Sequence, residues 1–568
     1  MPRFDSPSVF GRILDNEEGG KFVFLYKGEE IEGDLHYIKN TNVLKNRFEK
    51  DGNIWEVLDF FPRIPEGMGL KLHKSFIRIL RPVQGQPQIS VEFDPRPDYA
   101  RQKDTQERNT DSIYIESNHG TMHLHSNLSL SYIRYDRSFL LDRTYYFIYS
   151  HGPNDFSEGA MYKVQNMLDA TIYGWRQWAK SCSLPTFAPE AVLRSALCLK
   201  LHIFEDTGAI LAASTTSIPE AMNTERTWDY RFCWLRDAAF VVEALRRISQ
   251  VSEGENFLRF LTNIAAEGPL QPLYAIDGER NLEEIMLPHL SGFQGNGNVR
   301  IGNAAYVQKQ NDLMGEIILS LDSLLRDPRI VFENKEIYFP LIEDLVEQAI
   351  VAAPTKDTGI WEYRTIMHNH TFSRAMCWVA AERGAAFAES MGKKEQAKRW
   401  KEFADRERDL ILERSYNDEK GFFAQILEGD MPDASILLLA TIGIVDAKDP
   451  RFVSTLKEYE KLLVHKGLML RYINPDDFGD TTSAFTICSF WWCEALALSG
   501  RLDDAVTLFN KLLDYANPLG LFSEDIEPDS GQLLGNFPQA YTHVGLIHAA
   551  TTIGELLEAR DGRVRAWS

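Results

Sequence analysis

The chain has 568 residues, of which 44% are hydrophobic and 11% aromatic, and it carries a formal net charge of −21. At roughly 100–200 residues per domain, this length predicts two or more domains with packed cores. The acidic balance argues against nucleic acid and against an anionic membrane as partners, because binding to phosphate depends on Lys and Arg.

Targeting and redox features point to a cytoplasmic protein. The first residues, MPRFDSPSVF, lack the apolar core of a signal peptide, and the apolar segment 434–445 is too short to span a bilayer. Six cysteines are scattered without a CxxC pair, mostly in apolar surroundings. We interpret them as reduced core thiols. The sequence leaves a homo-oligomer open.

Residues 1–155 predict an antiparallel β-sandwich domain. Short β-branched or aromatic segments alternate there with turn residues such as EEGG and KDGN, as in strands joined by turns. The predicted strands are KFVFLY, GDLHYI, IWEVLDFF, SFIRIL, QISVEF, SIYIES, TMHLHS, SLSYIRY and RTYYFIYS. Residues 156–185, which contain SEGAMYKVQNMLDATIYGWRQWAK, predict a linker helix.

Residues 186–568 predict almost only helices. About twelve segments show helical patterns, and they begin near Pro189, Cys233, Glu255, Asn303, Asn334, Thr371, Lys394, Pro432, Pro450, Thr481, Leu502 and Phe537. Twelve helices either stack as an open solenoid or close as an (α/α)6 barrel. A solenoid repeats a motif at a fixed period, and none is found here. Long loops rich in Trp, Gly, Asp and Glu favour the closed barrel, with a site at one end.

The first chemically rich loop is TWDYRFCWLRDAAF. It surrounds Asp229, Arg231, Arg236 and Asp237 with aromatic rings at a predicted helix start. In such a loop Arg donates to a sugar hydroxyl, Asp accepts from one, and Trp covers the apolar face of the sugar. A purely structural ion pair beneath an aromatic cluster remains the alternative.

The second loop is GIWEYR, which places Glu362 between the rings of Trp361 and Tyr363. Burial beside apolar rings disfavours an ionised carboxylate, which makes Glu362 a candidate general acid. The alternative is an ordinary glutamate at a helix start, paired with Arg364.

Two later loops complete the set. LFSEDIEPDSG carries four acids, Glu524, Asp525, Glu527 and Asp529, of which one could remain ionised as a base; a solvated acidic loop is the alternative. In the other, LMLRYINPDD, Arg471 is followed by aromatic residues. Glycoside hydrolysis requires such a set: two separated carboxylates, arginines that bind sugar hydroxyls, and aromatic rings on which the sugar rests.

The same stretches resemble a known family. PRFDSPSVFGRILDNEEGGKF, WDYRFCWLRDAAF, GIWEYR, LFSED and GNFPQAYTHVGLI resemble glycoside hydrolase family 15, in order and over almost the whole chain. This is the glucoamylase family, which includes a branch of bacterial and archaeal trehalases. The resemblance implies an N-terminal β-sandwich, a linker helix and an (α/α)6 catalytic barrel. It implies no cofactor and no metal ion.

The resemblance also implies roles for individual residues. Glu362 follows the Trp of the family's WE loop as general acid, and Glu524 matches the SE motif of the general base. Trp234, Arg236 and Asp237 match the WxRD motif that binds the non-reducing glucose, and Trp361 walls the sugar site. The family's RYP-like loop corresponds to Arg471, although an isoleucine here replaces the proline. An inverting mechanism then places the two carboxyls roughly 6.5–9.5 Å apart.

The resemblance leaves the substrate open. A cytoplasmic enzyme meets trehalose or short maltodextrins rather than starch, and the trehalase branch is the more similar, so trehalose is favoured over a glucoamylase-type activity on maltodextrins. DTTSAFTICSFWW lacks a glutamate that relatives carry before AF, which affects the second sugar site. Two other classes remain: a disaccharide phosphorylase, in which phosphate makes Glu524 dispensable, and a sugar-binding protein without catalysis.

Overall fold

The computed structural model describes residues 2–66, 69–102, 106–108, 112–152, 160–332 and 334–562. The chain divides into two compact units. Unit 1 comprises Met1–Cys182 together with Pro288–Val299, and unit 2 comprises Ser183–Leu287 together with Arg300–Ser568. The expected boundary between residues 155 and 156 lies outside the described residues.

Unit 1 contains antiparallel sheets. Its strands are β1 (Lys21–Tyr26), β2 (Asp34–Tyr37), β3 (Leu44–Lys50), β4 (Asn53–Phe60), β5 (Arg63–Glu66), β6 (Gly69–Leu72), β7 (Ser75–Gln84), β8 (Gln88–Asp94), β9 (Gln106–Arg108), β10 (Ser112–Ser117), β11 (Gly120–Ser126), β12 (Phe139–Leu140) and β13 (Tyr145–His151). An eight-stranded sheet has the order β2-β3-β4-β7-β13-β11-β10-β9, a three-stranded sheet has the order β1-β8-β12, and β5 pairs with β6.

The two larger sheets share one core. Phe22 from the three-stranded sheet meets Phe147 from the eight-stranded sheet, with ring centroids 6.0 Å apart. Alternate residues of each strand face this core, as period-2 patterning requires, and they include Val57, Leu80 and Val91. The predicted antiparallel N-terminal region is therefore confirmed.

One predicted strand is wrong. SLSYIRY forms a short helix, α1 (Leu130–Arg134), whose buried residues are Leu130 and Ile133. Burial at a spacing of three residues is helical, whereas a strand would bury every second residue. A longer helix, α2 (Ala160–Ser181), buries residues including Val164, Leu168 and Trp175 at helical spacing.

Unit 1 also includes a segment from much later in the chain. Within Pro288–Val299, the Ser291 N–H donates to Asp15 Oδ2 at 2.8 Å. His289 Nε2 lies 2.7 Å from the Tyr99 carbonyl oxygen. The Asp15 carboxylate also accepts the N–H groups of Glu17 and Glu18, so the late segment supplies the third backbone donor to this side chain. These contacts hold the pKa of Asp15 at about 2, although burial opposes them.

Unit 2 is mainly helical, as predicted. Its helices are α3 (Pro189–His202), α4 (Leu235–Arg247), α5 (Ser252–Ala266), α6 (Leu313–Arg326), α7 (Phe339–Ala352), α8 (Thr371–Ser390), α9 (Lys394–Arg414), α10 (Leu438–Thr441), α11 (Pro450–Leu462), α12 (Thr486–Leu498), α13 (Leu502–Leu513) and α14 (Ala540–Arg560). Two expectations need adjustment. The segment near Pro432 forms only a 3-10 turn, Ala434–Leu437, followed by the four-residue α10, and α6 begins ten residues after Asn303.

Every second helix of unit 2 belongs to a closed series of contacts. Helix α4 packs on α6, α6 on α8, α8 on the turn Ala434–Leu437, that turn on α12, α12 on α14, and α14 on α4. Helix α14 is buried from Ala540 through Gly554, whereas α9 buries single residues at helical spacing, such as Trp400, Ala404 and Ile411. A helix buried all round lies inside a fold, and one with a single apolar stripe lies outside.

Short strands connect the ends of these helices. They are β14 (Cys233–Trp234), β15 (Leu273–Tyr274), β16 (Ile285–Met286), β17 (Arg300–Ile301), β18 (Tyr416–Asn417), β19 (Phe422–Phe423), β20 (Val464–His465), β21 (Leu468–Met469), β22 (Ala484–Phe485), β23 (Asp525–Ile526) and β24 (Leu533–Leu534). Further 3-10 turns are Phe293–Gly295, Ala304–Val307 and Lys335–Tyr338. Among the described residues, no helix combines the length and apolar character needed to cross a bilayer.

Candidate active site

One cavity of unit 2 collects the residues that the sequence singled out. Its wall includes all seven: Trp234, Arg236, Asp237, Trp361, Glu362, Arg471 and Glu524. They come from the segments that precede α4, α8, α12 and α14 or from the first turn of α4, which are all members of the closed series. The positions at which the chain enters these helices of the closed series therefore meet in one place.

The first turn of α4 carries the arginine–aspartate pair. Trp234 pairs with Leu273 of β15, which fixes where α4 begins. Arg236 and Asp237 are 7% and 5% exposed, and Arg236 Nε lies 3.5 Å from Asp237 Oδ2. Burial raises the pKa of Asp237 to about 6, although the Arg236 charge opposes the shift. The other arginine of this loop, Arg231, binds Asp229 at 2.7 Å and is absent from the cavity wall, so that pair is structural.

Glu362 lies on a tight turn between α7 and α8. Both Gly359 and Glu362 have positive φ, 67° and 60°, and a Cβ at Gly359 would lie 2.8 Å from the His370 ring. A left-handed glutamate is strained by about 1–3 kcal/mol, which the surrounding structure must offset. The Gln308 amide helps, because its Nε2 donates to the Glu362 carbonyl at 3.2 Å.

The Glu362 carboxyl is held by donors as well as by rings. Its Oε1 accepts from Trp234 Nε1 at 2.7 Å, Arg236 Nη2 at 3.0 Å and Gln310 Nε2 at 3.2 Å. The aromatic surroundings that the sequence indicated are thus only part of its environment. The neighbour Trp361 donates to Asp433 Oδ2 at 2.8 Å, which fixes the indole in the wall.

Glu524 lies across the cavity wall on the segment before β23 and is 1% exposed. Its Oε2 accepts the Asn536 N–H at 3.1 Å, and its carboxyl accepts the Tyr230 hydroxyl. Burial raises its pKa well above the ordinary glutamate value, and the nearby charges of Glu220 and Asp525 raise it further. Of the four acids in this loop, Glu527 instead accepts the backbone N–H groups of Asp529 and Ser530, and the Asp529 carboxylate pairs with Lys466 at 3.6 Å.

Glu220 is a third glutamate of the cavity that the sequence did not reveal. Its Oε1 accepts Trp228 Nε1 at 2.6 Å, and its Oε2 pairs with Arg471 Nη2. It is buried, and with Tyr230 it stands close enough to Glu524 to influence its charge. Arg471 is thereby oriented into the cavity by a partner that is distant in sequence. Other wall residues that sequence reasoning missed are Arg226, Trp228, Tyr230, Phe478 and Tyr541.

The site therefore brings the carboxyls of Glu362 and Glu524 to one cavity, together with a buried arginine–aspartate pair and aromatic rings. Tyr230 contacts the surroundings of both carboxyls. Its hydroxyl contacts Glu524, and its ring centroid lies 5.2 Å from that of Trp234, which donates to Glu362. Such an arrangement can protonate one oxygen and accept a proton from another bound at the same place.

Comparisons with known proteins agree with this geometry. A family model described as "Glycosyl hydrolases family 15" matches residues 186–551, and one described as "Trehalase-like, N-terminal" matches residues 1–137. The chain is 32% identical to a trehalase of Thermoplasma volcanium, over 100% of this chain and 91% of that one. It is 34% identical to a trehalase of Mycobacterium tuberculosis, over 99% and 87%.

Among solved structures, a bacterial glucoamylase complexed with acarbose superimposes with a TM-score of 0.71. The alignment covers 98% of this chain and 91% of that one at 16% identity, a likeness of fold alone.

Proposed function

The chain belongs to glycoside hydrolase family 15, and from this premise we propose that it hydrolyses trehalose to glucose with inversion of configuration. One observation carries the proposal: Glu362 and Glu524 line the same cavity as the Arg236–Asp237 pair. The chain is a glycosidase by family, and the full-length similarity to trehalases supports trehalose over maltodextrins as its substrate.

In this mechanism Arg236 and Asp237 bind hydroxyls of the terminal glucose at the buried end of the cavity. Glu362 protonates the glycosidic oxygen. Because Trp234, Arg236 and Gln310 all donate to Oε1, the transferred proton resides on Oε2. Glu524 deprotonates a water on the opposite face of the sugar ring, which requires the two carboxyls to stand roughly 6.5–9.5 Å apart.

We further propose that the closed series α4–α6–α8–(434–441)–α12–α14 is the inner ring of an (α/α)6 barrel within a catalytic domain of residues 186–568. The intervening helices form the outer ring. The N-terminal β-sandwich is assigned to residues 1–155 and the linker helix to 156–185. Five of the six cysteines are buried, as is usual for the reduced core thiols of a cytoplasmic protein, and this supports a cytoplasmic location.

The test is glucose release from trehalose and from maltose, side by side, without phosphate. We expect turnover of trehalose, with β-glucose as the first anomer formed from the attacked ring, observed by NMR before mutarotation. Turnover of maltose alone would assign a glucoamylase-type activity instead.

Phosphorolysis is the competing chemistry, and Glu524→Gln separates it from hydrolysis. Loss of trehalose turnover in this variant, by about 10²–10⁴-fold, is expected of a general base. A phosphate requirement in the wild type together with an active Glu524→Gln variant would contradict the proposal.

A further inference from the structure

The segment Tyr472–Gly479, here called the strap, forms the solvent-side wall of the cavity. Asp476, Asp477 and Phe478 line the cavity and are partly exposed, and Ile473 in the same segment is 41% exposed, whereas Tyr472 at its start is buried in the wall. Arg236 at the buried end is 7% exposed. The strap therefore lies at the mouth of the cavity and Arg236 at its floor.

The second half of the strap is tied to the segment before α4. Asp476 accepts Arg226 Nη1 at 2.8 Å and Nη2 at 2.6 Å, a bidentate ion pair with both side chains almost fully buried. Asp476 also accepts the Tyr472 hydroxyl at 2.5 Å, and Arg226 donates to the Gly479 carbonyl at 3.0 Å. Bidentate charge-assisted pairs of this kind are the stronger hydrogen bonds in proteins.

The neighbouring residue ties the strap to the loop that carries the general acid. Asp477 accepts the backbone N–H of Arg364 at 2.6 Å and that of Thr365 at 3.0 Å, and it also accepts the Thr365 hydroxyl. Arg364 follows Glu362 by two residues. Glu362 is thus bonded to Arg236 at the floor of the cavity, and its loop is bonded to the strap.

An aromatic and cationic wall stands behind the strap. The ring of Phe478 packs edge-on against Trp228, with centroids 5.1 Å apart. The guanidinium groups of Arg300 and Arg364 lie over the Trp228 ring at 4.8 and 4.7 Å, and both arginines pair with Glu284. This wall is made of ion-paired and stacked groups, which resist displacement by a longer ligand.

We propose that the strap limits the leaving group of the reaction to a single sugar ring. The inference rests on the proposed function. With the terminal glucose at the floor and the acid in the middle, the leaving group must extend towards the strap. A leaving group with a second sugar ring would have to pass through the strap, which Asp476 and Asp477 fasten to two different loops.

The test compares trehalose with glucosyl-trehalose, a trisaccharide whose hydrolysis at either bond releases a two-ring leaving group. We expect the wild-type kcat/KM for the trisaccharide to be at least about 100-fold lower than for trehalose. Asp477→Ala, which unfastens the strap, should raise the ratio of trisaccharide to trehalose turnover by about tenfold. Phe478→Ala enlarges the mouth without cutting either tie and should raise the same ratio.

Asp449→Ala is the matched control, because Asp449 also accepts a backbone N–H and pairs with an arginine, Arg451, but lies outside the cavity wall. It should leave the ratio unchanged. Equal wild-type turnover of both sugars would overturn the proposal whether or not the variants fold, and so would variants that change both activities equally.

A failure of the strap proposal can be distinguished from a failure of the substrate assignment. If trehalose is not hydrolysed, maltose and maltotriose provide the same comparison of one-ring with two-ring leaving groups, so the strap is tested on them.

Discussion

The charge of Glu524 is influenced by two further carboxyls, Glu220 and Asp525, and by two groups that stabilise its anion, Tyr230 and Arg471. Burial and the two acids together raise its pKa well above that of an ordinary glutamate. A base works only when ionised, so activity should fall as the pH drops through this raised pKa. The acidic limb of the rate profile is therefore expected above the usual carboxyl range.

Glu220→Gln should move that acidic limb of kcat/KM to lower pH, because one negative charge beside Glu524 is removed. The variant should also raise KM, since Arg471 loses its buried partner. The measurement is a pH–rate profile on trehalose. Glu225→Gln changes an exposed glutamate of the same loop and should leave the profile in place; an unmoved limb in Glu220→Gln would show that Glu220 does not act on the base.

Glu362→Gln should lower kcat on trehalose by about 10²–10⁴-fold, because no proton reaches the leaving oxygen. α-Glucosyl fluoride, whose leaving group needs little protonation, should retain much of its rate. Glu428→Gln is a matched control, since Glu428 also has a positive φ, 58°, and lies outside the cavity wall. Retention of most trehalose activity in Glu362→Gln would contradict the role of general acid.

The loop between β23 and α14 shows how an element positions a catalytic group. Gly535, with φ of 70°, lies so close to Glu524 that a Cβ would stand 2.6 Å from both its Cβ and its Oε2. The Gly535 N–H donates to the Pro219 carbonyl at 2.7 Å, which ties this loop to the one that carries Glu220. Glycine here lets the backbone approach the base closely.

Gly535→Ala should therefore displace Glu524 and reduce kcat strongly, at a stability cost of about 1–3 kcal/mol. Gly531→Ala provides the comparison, because Gly531 has nearly the same φ, 75°, but its nearest neighbour is Tyr515 at 3.5 Å. Both variants bear the same backbone strain, and only the first pushes on the base. Steady-state kinetics and thermal melts separate the two effects; equal loss of kcat in both variants would rule out the steric explanation.

At the level of elements, periodicity in the sequence predicted most of what is observed. All twelve helical segments of unit 2 contain a helix, and the antiparallel region precedes them. The strand predicted at SLSYIRY is wrong because alternation and i, i+3 spacing cannot be told apart in so short a stretch. Family motifs brought seven wall residues together, but Glu220 had no local signal: its partners Trp228 and Arg471 are 8 and 251 residues away.

Across the whole molecule, buried carboxyls make stability depend on pH in a definite direction. Glu316, on the first turn of α6, is fully enclosed beside Asp312, and burial raises its pKa well above the ordinary value. Its contribution to stability is complete below the unfolded-state pKa of about 4.3 and is lost as the pH rises through the folded-state pKa. Between the unfolded-state pKa and the folded-state pKa, each rise in pH thus favours the unfolded chain at this group.

Glu316→Gln removes this titration and leaves a neutral side chain of nearly the same size beside Asp312. Its Tm should exceed that of the wild type at pH 7–8 by about 2 °C, with a smaller difference near pH 4. Calorimetry at both pH values makes the measurement, with Glu413→Gln, on the exposed face of α9, as control. A difference that shrinks as the pH rises would contradict the assigned direction.

The composition of unit 1 has a consequence for synthesis. A ribosome delivers the chain in order, so residues 183–287, which belong to unit 2, emerge before Pro288–Val299, which belongs to unit 1. During that interval the Asp15 carboxylate lacks the hydrogen bond from the Ser291 N–H. Unit 1 can therefore be completed only after the first part of unit 2 has been made, and a fragment ending at Cys182 would lack a part of its own structure.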